Sequence, residues 1–98
     1  MNEKLLNEFL LYKNNNIFSE NFKFLITEII EKESLKKLKY LDNLKIKQFK
    51  ENAFNFCYKN INKFDLKKSN NILSYIIIII RCSFSKDINK LKYENEKI

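Results

Sequence analysis

Neither glycine nor proline occurs in the 98 residues, so every turn has to be made by residues that tolerate a left-handed backbone or cap a helix end with a side chain. Stretches that can do so are few: Asn14-Asn15-Asn16, Asp42-Asn43, and residues 65–71 with Asp65, Ser69, Asn70 and Asn71. Between them, apolar residues recur at spacings of three and four, the period of an amphipathic helix.

That period predicts an all-α, compact bundle of about four helices. Residues 2–13 place Leu5, Leu6, Phe9, Leu10 and Tyr12 on one side. Ser19 is a candidate N-cap, with Glu20 near the positive helix end, for a second helix striped by Phe22, Leu25, Ile26, Ile29 and Ile30. Glu33-Ser34 is expected to break or bend that helix, after which Leu35, Leu38, Leu41 and Leu44 resume an apolar spacing of three up to a turn at Asp42-Asn43. From about Ile46, the series Ile46, Phe49, Ala53, Phe56/Cys57, Ile61 and Phe64 marks a third helix. A loop over 65–71 leads to a last helix, about 71–92, with an expected inner stripe of Leu73, Ile77, Ile80, Phe84, Ile88 and Leu91. The isoleucines 76–80 cannot all point inward on a helix, and a buried strand is the alternative for that β-branched run. Residues 93–98 read as a frayed polar tail.

A chain of this length buries one modest core, so residues 1–98 are read as a single domain: N-terminal helices over 1–45, a helix-loop-helix over 46–92 and the tail. Charge is uneven along it. Residues 1–31 carry three lysines against five glutamates, whereas residues 32–98 carry sixteen Lys/Arg against seven Asp/Glu. The basic part suits a polyanion such as nucleic acid, an anionic membrane surface, or simply a solvated lysine-rich face enriched by an AT-rich genome. The isoleucine run is far shorter than the ~20 residues that span a bilayer, and Arg81, Lys86 and Asp87 follow it, so no membrane segment is expected. Cys57 and Cys82, with no secretory leader at the start, indicate a reducing cytoplasmic setting and packing roles.

Catalytic readings are weak. Histidine is absent, which removes hydrolytic triads and imidazole bases; the two cysteines lack a zinc spacing; and no glycine-rich phosphate loop can exist. Glu28, Glu31 and Glu33 read as a helix surface. The expectation is a binding protein without enzymatic activity, metal or cofactor.

The segment Lys63-Phe64-Asp65, Lys67-Lys68, Ser69, Ile72, Tyr75, Ile78-Ile79, Ile80-Arg81 and Lys86 resembles, without gaps, the second region of bacterial sigma factors. The likeness is closer still to the compact late-transcription sigma factors of T-even-type tailed phages, through Lys63-Phe64-Asp65-Leu66-Lys67-Lys68-Ser69 and Asn71-Ile72-Leu73-Ser74-Tyr75, with Cys57 where such proteins can also carry Cys. It covers about half the chain well. Residues 5–45 match the family's N-terminal helices only loosely. Leu66 and Ile72 stand where the family has proline, Leu73 where it has an aromatic residue, and Ile78-Ile79 where it has a tryptophan pair.

The resemblance implies a transcription initiation factor, phage-encoded and working in the host cytoplasm, that binds core RNA polymerase and directs it to an AT-rich late promoter. It assigns DNA contact to Lys67, Lys68, Asn71, Tyr75, Ile78, Ile79, Arg81, Cys82, Ser85, Lys86 and Asn89. Lys67, Lys68, Arg81 and Lys86 would neutralise phosphates, and Tyr75 would stack on an exposed base. Polymerase contact, to a coiled coil of the largest subunit, falls to Gln48, Glu51, Asn52, Asn55, Tyr58 and Lys59. A sliding clamp and a co-activator are further implied partners, although only Ile98 offers a clamp-binding candidate after Lys92. Isoleucine has no flat π-face for stacking, which favours a rival: a polymerase-binding helical module that inhibits or redirects transcription without opening promoters. A basic helical bundle with unrelated nucleic-acid affinity is the third reading.

Overall fold

A computed structural model describes residues 1–96. They form α1 (Asn2–Asn15), α2 (Glu20–Lys37), α3 (Asn43–Asn60), a 3-10 turn at Ile61–Lys63, and α4 (Ile72–Glu96). Among the described residues there is no strand, so the isoleucine run is helical and the fold is all-α. No helix among these residues is long and apolar enough to cross a membrane. Lys97 and Ile98, the latter the clamp-binding candidate, lie outside the described residues.

Asparagine, aspartate and serine make the turns. Asn16 takes the left-handed conformation (φ 57°, ψ 30°) that ends α1, and its N–H donates to the Tyr12 carbonyl. Ser19 accepts from the Phe22 N–H at 3.0 Å to cap α2, and Asp42 accepts from the Lys45 N–H at 2.8 Å to cap α3. With that cap, α3 begins three residues before the first apolar residue of its stripe, at Asn43 rather than Ile46.

Buried residues follow the expected stripes on α1 to α3: Leu5, Phe9 and Tyr12; Phe22, Ile26, Ile29 and Ile30; Phe49, Ala53 and Cys57; then Ile61 and Phe64. Some expectations fail, and the first is Leu10, expected on the apolar side of α1 but exposed. Glu33-Ser34 does not break α2, which runs on to Lys37 with both residues buried. Of Leu35, Leu38, Leu41 and Leu44 only Leu38 is buried, because a strict spacing of three drifts around a helix, and α2 stops before the series is complete.

The longest helix, α4, packs chiefly on α3 and also touches α2 and α1. Flanked on more than one side, it buries a wider arc than a single stripe: Ile72, Ile76, Ile79, Ile80, Ser83 and Phe84. The expected inner residues Leu73, Ile77, Ile88 and Leu91 are only half-buried at its border. The helix also continues to Glu96, so residues 93–96 are helical rather than a frayed tail.

Candidate nucleic-acid interface

The loop between α3 and α4 is folded tightly by its own side chains. Asp65 accepts from the Lys67 N–H through Oδ1 at 2.9 Å and from the Lys68 and Ser69 N–H groups through its carbonyl. Ser69 accepts from the Asn71 N–H at 3.0 Å, and Asn71 Oδ1 accepts from the Ser74 N–H at 3.1 Å at the start of α4. Asn2 of α1 completes the junction: it accepts from the Leu73 N–H at 3.0 Å and donates to the Asn70 carbonyl at 3.1 Å. First-turn donors that would otherwise be orphaned are thereby satisfied. Lys67 and Lys68 are left exposed on an ordered turn.

From this junction α4 presents an outer stripe at alternating spacings of four and three: Asn71, Tyr75, Ile78, Cys82, Ser85 and Asn89. All are exposed except Tyr75, which is half-buried. Six of the DNA-assigned residues therefore share one helix face. Ile79 does not join them. It is 7% exposed against 59% for Ile78, because successive residues are turned by about 100° and Ile79 falls inside the wide buried arc. Of the two isoleucines that the resemblance sets against a tryptophan pair, only Ile78 faces outward.

Beside the stripe's first turns lies an open hollow of about 460 Å³, with Phe64, Tyr75 and Ile78 as apolar lining and Lys63, Lys68 and Ser74 among its polar residues. Tyr75 is held there from two sides. Its hydroxyl donates to the Asn60 carbonyl at 2.8 Å, and its ring centroid lies 5.1 Å from that of Phe64. Burial, with a smaller contribution from Cys57, raises the phenol's pKa, so Tyr75 stays a neutral donor. Burial likewise pushes the Cys57 thiol up to about 12. Lys63, Phe64 and Ser74 were not among the residues assigned to contact from sequence; the loop turn brings them there.

The two cations assigned on α4 sit on opposite shoulders of the stripe. Lys86 leans towards α3, its Nζ 4.5 Å from the centre of the Phe56 ring. Arg81 leans towards α2, donating through Nε to Glu33 Oε1 at 2.6 Å, while Lys36 Nζ lies 3.5 Å from Glu33 Oε2. Glu33 is thus a buried ion-pair partner and not the helix surface expected. Burial opposes its charge, but the hydrogen bond and charge of Arg81, with help from Lys36, outweigh it and hold the carboxyl below its usual range. A signal was present: Glu33 falls seven residues after Ile26, on the apolar stripe, and Arg81 is the only arginine in a lysine-rich chain.

On α3, Gln48, Glu51, Asn52, Asn55, Tyr58 and Lys59 form one exposed ridge. Tyr58 is fixed by Phe18, whose ring centroid lies 5.1 Å away, and Asn52 donates to Asp87 of α4 at 3.2 Å. The ridge consequently offers an oriented aromatic among polar groups, with its neighbour helix bracing one edge.

No family model, curated protein or solved structure matches the chain.

Proposed function

We propose that this chain is a small sigma-like transcription initiation factor, without enzymatic activity, that binds core RNA polymerase through the α3 ridge and engages an AT-rich promoter through the outer face of α4. One observation carries the reading most: Tyr75 lines an apolar hollow bordered by Lys63 and Lys68, with Asp65 also at its edge, at the head of a helix face lined by Asn71, Ile78, Cys82, Ser85 and Asn89. Such a hollow suits an unstacked base, with the lysines drawing in the backbone. The ridge on the neighbouring helix leaves room for a protein partner at the same time. A sliding clamp and a co-activator remain part of the proposal, as the resemblance implies.

The burial of Ile79 favours a second reading. With one outward isoleucine and one half-buried tyrosine, the chain has little with which to hold strands apart, as a module that occupies polymerase and inhibits or redirects it would. Run-off transcription and pull-down with purified core bacterial RNA polymerase and an AT-rich promoter template separate the two. A promoter-dependent product supports initiation, retention without product supports inhibition, and absence of retention overturns both.

A further inference from the structure

We propose that Arg81 and Lys36 together form a seat for one backbone phosphate of nucleic acid, bridging α4 and α2. The proposal rests on the nucleic-acid reading above and extends the contact surface onto a helix outside the well-matched segment.

Charge and exposure point the same way. The Glu33 side chain is 4% exposed, whereas those of Arg81 and Lys36 are 50% and 64% exposed, so the negative charge lies inside and both positive charges lie at the surface. Two cations share one carboxylate, and among the described residues neither has another ion-pair partner, which leaves one positive charge over. A phosphodiester carries the single negative charge that would complete the set. Arg81 uses Nε for Glu33, its one side-chain hydrogen bond among the described residues, and its guanidinium has further donors on the terminal nitrogens. Pinning the base of the fork reduces the rotamer freedom lost when those nitrogens grip a tetrahedral oxyanion. Helical spacing places Ile78 one turn before Arg81 and Ser85 one turn after it, so the seat adjoins the outer stripe on its α2 side. Phosphate is favoured over a partner's carboxylate by this continuity and by the net charge of +7.

The test is fluorescence anisotropy of a short, labelled AT-rich single strand titrated with the intact chain across a salt series. The log–log slope of affinity against salt should flatten by about 0.7 in Lys36→Gln, and by the same amount in Arg81→Gln. The double variant should lose no more than either single one, because both residues serve one phosphate; a doubled loss would mean two separate contacts and would overturn the seat. Should Arg81→Gln fail to fold, Lys36→Gln decides alone, since its side chain is largely exposed. An unchanged slope in Lys36→Gln, with Lys68→Gln still flattening it, would overturn the seat while leaving the nucleic-acid reading intact. An unchanged slope together with weaker polymerase retention would assign the seat to a protein carboxylate and likewise overturn it. If the unmodified chain does not bind the strand even at the lowest salt, the nucleic-acid reading fails and the seat with it.

Discussion

The phenol of Tyr75 donates to the main-chain carbonyl of Asn60 across 2.8 Å, tying the first turn of α4 to the end of α3. The bond orients a ring that also leans on Phe64 and lines the hollow. The hydroxyl that anchors and the ring face proposed to stack on a base are thus different parts of one side chain, and two substitutions can separate them.

Tyr75→Phe removes the anchor and keeps the ring. It should lower the free energy of unfolding by about 0.5–1.5 kcal/mol in a denaturant titration while binding of an AT-rich single strand is largely retained. Tyr75→Ala should cost about 1–3 kcal/mol of that binding as well, read by anisotropy. Equal binding by all three proteins would exclude the ring as a base-stacking surface.

Ile78 and Ile79 make an internal comparison. Ile79→Ala, in the core, should destabilise the fold by about 2–5 kcal/mol, whereas Ile78→Ala, on the outer stripe, should stay within about 0.5 kcal/mol. Only Ile78→Ala is then informative for promoter contact. Thermal unfolding of the two variants provides the check.

That pair also shows where sequence reading stopped. The spacing of Leu5, Phe9, Phe22, Ile26, Phe49 and Ala53 revealed the core faces of α1 to α3 because each helix buries one stripe. It misplaced the inner face of α4, since a run of five isoleucines has no period and the buried arc depends on how many neighbours flank the helix. The exposed ridge of α3 followed from the stripe opposite it. The contact between Glu33 and Arg81 spans 48 residues and is set only when α2 and α4 pack together. The hollow around Tyr75 likewise needs the loop turn that brings in Lys63 and Phe64.

The two thiols should differ sharply. Cys57 is buried and its pKa is pushed up to about 12, while Cys82 is exposed on the outer stripe. An alkylating reagent at neutral pH should label one thiol per folded chain, at Cys82, and the second only after denaturation. Peptide mapping identifies the site. Because the folded Cys57 holds its proton to higher pH than the unfolded thiol, it should also make the fold less stable as pH rises above its ordinary value of 9.0.

Placing positive charge on the α3 ridge, by Glu51→Lys with Asn52→Lys, tests the polymerase assignment. Both positions are exposed, so each change should alter stability by no more than about 0.5 kcal/mol. Retention on core polymerase in a pull-down should fall, with single-strand binding kept. Intact retention would move the contact to another face.

The ion pair between buried Glu33 and half-exposed Arg81 should give stability a distinctive acid dependence. The hydrogen bond to a charged partner is worth about 1.5–3 kcal/mol, towards the lower end here because Arg81 is half-exposed and screened. The folded carboxyl binds its proton less readily than the unfolded one, so as pH falls the unfolded state takes up the proton first and stability declines. The contribution is complete above the ordinary glutamate value of 4.5, shrinks below it, and is gone once pH has passed through the depressed folded value. Glu33→Gln lacks this titration. The stability difference between the unmodified chain and Glu33→Gln, measured by denaturant unfolding at a series of pH values, should therefore be constant from neutral pH down to about the ordinary glutamate value and then close. A gap that widened in acid would mean that Glu33 is protonated more readily in the fold than out of it, with burial outweighing Arg81 and Lys36.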